Sequence, residues 1–104
     1  MSAPAKTMTL PEVPSEVLSF AAEKGVSEWL YPVLEMTVRH YPGRSLKLSV
    51  EYDFEDPEWQ YIVLQTDRGN ETVEQYFATH NAYGNDFVRS IPAEVRHYFV
   101  NICL

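Results

Sequence analysis

The hydrophobic pattern changes period once, at Tyr41-Pro42-Gly43, and that change constrains the fold more than any other feature of the chain. Before it, Leu30, Val33, Leu34, Thr37, Val38 and Tyr41 recur at three- and four-residue spacing, which draws one apolar stripe down a helix. After it, Leu46, Leu48, Val50, Tyr52 and Phe54 alternate with Lys47, Ser49, Glu51, Asp53 and Glu55, the pattern of a half-buried strand. A chain that moves from one period to the other within a few residues must pack a helix layer on a sheet.

The remaining segments extend that plan. Ser15 offers a cap for a first short helix carrying Val17, Leu18, Ala21 and Ala22, with Gly25 as its stop, and Ser27 opens the second. Pro32 interrupts the second helix, so that helix is expected either to bend or to start near Pro32. Glu35 and Arg39 form a favourably oriented pair one turn apart. Asp56-Pro57 marks a turn. Trp59 to Thr66 reads as a second strand, apolar on both faces as an interior strand would be.

Thr72-x-x-Gln75 fits a capping box, and a third helix follows with Val73, Phe77, His80, Gly84, Phe87 and Ile91 in its seam. Gly84-Asn85 is a point at which it would divide, and Pro92 ends it. A last strand runs from Tyr98 to the end. The expected fold is α+β in the order α-α-β-β-α-β, a small three-stranded, mostly antiparallel sheet packed by helices. The stretch from residue 59 to 104 is long enough for a parallel crossover. Residues 1–10 read as a flexible N-terminal tail and 11–104 as one domain, a size at which a chain buries a core without staples.

Charge is distributed unevenly. The net charge is −7, from 15 carboxylates and 8 Lys and Arg residues. Glu51, Asp53, Glu55, Asp56 and Glu58 fall within EYDFEDPEWQY with no basic residue among them, which leaves an excess of two elsewhere. This balance argues against nucleic acid and against anionic membranes as partners, and favours cations or a basic patch on another protein. A single cysteine, Cys103, excludes an internal disulfide and any cysteine-based zinc motif. The N-terminal residues contain no long apolar run, so a cytoplasmic location is expected.

No motif marks a nucleophile. His40, His80 and His97 lie on separate elements without metal-ligand spacing, and no serine or cysteine falls in a hydrolase signature. No catalytic residue, cofactor or metal ligand is therefore assigned. The five carboxylates are the candidate partner-binding residues, with two competing readings. A regular strand through Glu55 would project Glu51, Asp53 and Glu55 from one face, about 6.5–7 Å apart, suited to a hydrated divalent cation. Alternatively the charges only blunt an exposed strand edge and keep the hairpin soluble.

Three blocks, AAEKGVSEWLYPVLEMTVRHYPG, EDPEWQYIVLQ and YFVNICL, resemble a group of small uncharacterised bacterial proteins. In that group a helix ends at Tyr/Phe-Pro and is followed by a strand, a DPE turn and a second strand. The resemblance implies a recurring small fold and transfers no site. By analogy of size and charge, an antitoxin-like or regulatory role is expected. The leading expectation is thus a non-enzymatic module that docks a basic surface of a protein partner. A metal-binding protein or small metal-dependent enzyme is one alternative. A structural homodimer through a strand edge or the Pro32 helix is another.

Overall fold

A computed structural model of the chain describes residues 10–67 and 69–103, so most of the expected N-terminal tail lies outside the described residues. The elements are α1 (Ser15–Lys24), α2 (Ser27–His40), β1 (Leu46–Tyr52), β2 (Gln60–Thr66), α3 (Val73–Ser90), a single turn α4 (Ala93–Arg96) and β3 (Phe99–Cys103). This is the expected α+β order with one added turn of helix. The strands lie in the order β1-β2-β3, which puts the doubly apolar β2 in the centre.

β1 and β2 pair antiparallel from Leu46 opposite Thr66 to Tyr52 opposite Gln60. β2 and β3 pair parallel, with Ile62 opposite Phe99. The sheet is therefore evenly mixed rather than mostly antiparallel, because the crossover through α3 returns the chain alongside β2 in the same direction. Among the described residues no helix is long and apolar enough to cross a membrane.

Ser15 and Ser27 do not act as caps, since each is the first residue inside its helix and the cap positions are Pro14 and Val26. Local signals account for other helix ends. Gly25 adopts φ 72°, and the amides of Gly25 and Val26 bond back to Ala22 and Ala21 at 3.2 and 2.8 Å, a Schellman stop that only glycine makes without strain. Pro32 neither breaks α2 nor delays its start. It sits in the second turn of a continuous helix on the solvent side, so the loss is one backbone bond while the buried stripe is kept. Both halves of the capping box at α3 are made, Thr72 Oγ1 accepting from the Gln75 amide at 3.1 Å and Gln75 Oε1 from the Thr72 amide at 3.0 Å. α3 then runs through Gly84 and Asn85 without dividing. Ile91 ends α3, and the Pro92 carbonyl accepts from the amides of Val95 and Arg96 in α4.

The helices cover one face of the sheet. Val17, Phe20, Leu30, Val33 and Leu34 from α1 and α2 meet Leu48, Ile62, Leu64 and Phe99 from the strands. Burying each such side chain contributes about 1.5–3 kcal/mol, and this layer is the main source of stability. The opposite face carries the alternate residues, Lys47, Ser49, Glu51, Tyr61, Gln65, Val100 and Ile102, around a Val63 that its neighbours bury.

Candidate functional site

β1 ends at Tyr52, three residues sooner than the alternation predicts. The cause is Asp53. Its Oδ1 accepts the amides of Glu55 and Asp56 at 2.7 and 3.1 Å, and this local bonding competes with the strand ladder. The Asp53 amide still reaches Trp59 O at 2.8 Å, the Trp59 amide reaches Asp56 O at 2.9 Å, and Asp56 Oδ1 accepts from the Glu58 amide at 3.2 Å. The turn thus ties its own backbone together.

Below the turn, Trp59 stacks on Tyr98 with ring centres 5.4 Å apart and leans on His97 at 5.1 Å. Tyr98 in turn meets Phe20 edge-on at 6.2 Å. An aromatic ladder therefore fixes the hairpin end to the α1 side of the core.

Two expectations change here. The alternation places Tyr52 and Phe54 inward, yet Tyr52 is 62% exposed and Phe54 97% exposed. Once the strand stops, parity no longer governs Phe54, and the turn aims it into solvent. The regular carboxylate row is also absent, because Glu51 belongs to the strand while Asp53, Glu55 and Asp56 belong to the turn. Asp53 and Asp56 act first as acceptors for backbone amides, whereas Glu51, Glu55 and Glu58 are exposed. Among the described residues no three His, Cys, Asp or Glu side chains group where they would hold a metal ion, and the geometry behind the divalent-cation reading is lost.

A second polar cluster, which the sequence did not bring together, joins α2 to α3. Asp86 Oδ2 accepts from Arg39 and from His40 Nε2, each at 2.9 Å, and its Oδ1 accepts from Ser90 Oγ at 3.1 Å. The bonds from His40 and Arg39 hold the Asp86 carboxyl down at about 2, well below its usual 3.8. Arg39 therefore reaches across to α3 instead of pairing with Glu35 along α2. Ser90 and His40 contact opposite oxygens of the same carboxylate, so no hydroxyl faces an imidazole base as nucleophilic catalysis requires. The cluster is a clamp between helices.

Beneath that clamp, the fully buried Thr37 donates to Val33 O at 2.8 Å, so the Tyr83 hydroxyl must be the donor in their 3.0 Å bond. Burial raises the Tyr83 hydroxyl above its ordinary value, against the lowering effect of the bond to Thr37. Tyr41 lies beside it, tilted at 5.8 Å, with a buried hydroxyl that lacks a hydrogen-bond partner among the described residues and is pushed up to about 12, chiefly by desolvation. Arg44 covers the Tyr41 ring and pairs with the largely buried Glu71 at 3.2 Å, and Glu71 also accepts from Thr79 at 3.0 Å. These contacts tie Glu71, just ahead of α3, to the segment that follows α2.

The sequence did contain a signal for the hairpin tip. Asp53 followed by Phe-Glu-Asp-Pro is turn chemistry, and it begins before the alternation has run out. Comparison with protein families, with curated proteins and with solved structures finds no match.

Proposed function

We propose that this chain is a non-enzymatic binding module, and that its hairpin tip inserts Phe54 into an apolar pocket ringed by basic groups on a protein partner. The observation that carries this reading is Phe54, 97% exposed on a turn whose backbone is held by Asp53 and Asp56. Burying a phenylalanine side chain contributes about 1.5–3 kcal/mol, and a pre-formed turn loses little entropy on docking. Aromatic anchors inside a charged rim are the usual pattern of interaction hot spots. Glu51, Glu55 and Glu58 supply that rim and steer a positively charged partner. An inhibitor-like or antitoxin-like role, with a basic nucleic-acid-handling enzyme as the partner, is the specific form of this proposal.

The test is affinity capture from the host with wild-type protein, followed by binding measurements on the purified partner. Phe54→Ala is expected to weaken binding at least tenfold at every salt concentration. Glu51→Lys, Glu55→Lys and Glu58→Lys together are expected to slow association and abolish its salt dependence. A partner bound equally by all three proteins refutes the role of the hairpin.

A further inference from the structure

α3 has a second apolar face that the fold does not use. Its core side is formed by Tyr83 and Phe87, and the part of the expected seam made by Val73, Phe77, His80 and Gly84 lies roughly a quarter-turn away at 3.6 residues per turn. Val73 and Phe77 on that seam, and Val88 beside it, are 59%, 56% and 61% exposed. Between Phe77 and Val88 lie the exposed His80 and Asn81, at the midpoint of the stripe, and Gly84, where an added Cβ would meet nothing within 4 Å.

We propose that this stripe is a self-association surface, on which α3 packs antiparallel against α3 of a second copy of the chain. The pattern is complementary to itself when reversed. With the two-fold axis midway between Val73 and Val88, these two residues face each other across the interface. The same register sets Phe77 over Gly84 of the second copy, a large side chain opposite a missing one. Charge selects the direction. Glu74 and Arg89 are exposed on the same flank of the stripe at opposite ends of the helix. Antiparallel packing brings Glu74 near Arg89 of the second copy on the same side of the interface, whereas parallel packing would leave the opposite charges about 22 Å apart along the helix. The contact runs about 22 Å along the helix, less than the roughly 800 Å² per partner of a stable interface requires, so the dimer forms and dissociates with concentration.

Sedimentation equilibrium of the full chain from low micromolar to near-millimolar concentration tests this. The mass should rise from 12.0 kDa toward twice that value. Phe77→Asp should remain at the monomer mass with unchanged helical circular dichroism. Gly84→Ala separates folding from association, since it should raise the thermal midpoint of dilute protein while weakening the dimer severalfold. Glu74→Arg and Arg89→Glu should each weaken association, and an equimolar mixture of the two should restore it as a heterodimer. A mass that stays at 12.0 kDa throughout overturns the proposal, including the case where removing residues 1–9 then allows association and shows the stripe to be covered by that segment. A dimer that survives Phe77→Asp, or a mixture no tighter than its components, overturns it as well.

Discussion

The Asp86 clamp and the 51–58 hairpin are both built from charged side chains, and they differ in where the charge is answered. At Asp86 one carboxylate has three donors from two helices, all within the molecule. At the hairpin five carboxylates have no cation among them, and two are bonded only to the backbone of their own turn. A charge answered internally joins elements of the fold. A charge left unanswered makes a surface on which another molecule can act, and the exposed Phe54 at its tip adds area to that surface.

Substitutions at the two sites should separate along this line. The largest effect belongs to the clamp side: Tyr83→Ala removes a buried ring and leaves Thr37 short of a donor, and should destabilise by about 3–5 kcal/mol in urea unfolding. Next is Asp86→Ala, which strands Arg39 and His40 and should cost about 1–2 kcal/mol. Because the Asp86 carboxyl is depressed in the folded state, its stabilisation is fully present above the unfolded value of 3.8 and is lost as pH falls toward about 2. Acid unfolding followed by circular dichroism should therefore lose part of its slope in that window in the Asp86→Asn variant. A smaller effect, about 1 kcal/mol, is expected for Asp53→Ala, comparable to losing a helix cap, together with faster amide exchange at Glu55 and Asp56. The smallest belongs to Glu55→Gln with Glu58→Gln, within about 0.5 kcal/mol of wild type. A large stability change in that double variant would mean the hairpin charges serve the fold after all.

The sequence carried the fold further than the sites. Period and caps sufficed for the helix and strand order, because Gly25, Thr72 and Gln75 act within a few residues of themselves. They were insufficient at α3, where apolar side chains occupy two adjacent faces and nothing in the spacing says which one meets the core. Phe54 escapes the alternation because the pattern continues past the residue that stops the strand, whereas Tyr52 is still in β1 and is exposed at its last position. The Asp86 clamp was out of reach for a different reason: it joins residues 46 and 47 positions apart, and only the packing of α2 on α3 brings them together. Carboxylates that bond their own turn and carboxylates that stay in solvent look alike in sequence.

The parallel pairing of β2 with β3 also sets an order of assembly. β1 and β2 meet through a turn of a few residues, whereas Ile62 and Phe99 are 37 positions apart (99 − 62) with all of α3 between them. Closing that long loop takes entropy from the chain before the contact returns any of it. The hairpin therefore belongs to the early stage of folding and β3 to the late one. Until β3 arrives, the free edge of β2 is open to other extended chains, and the speed of α3 docking sets how long that interval lasts.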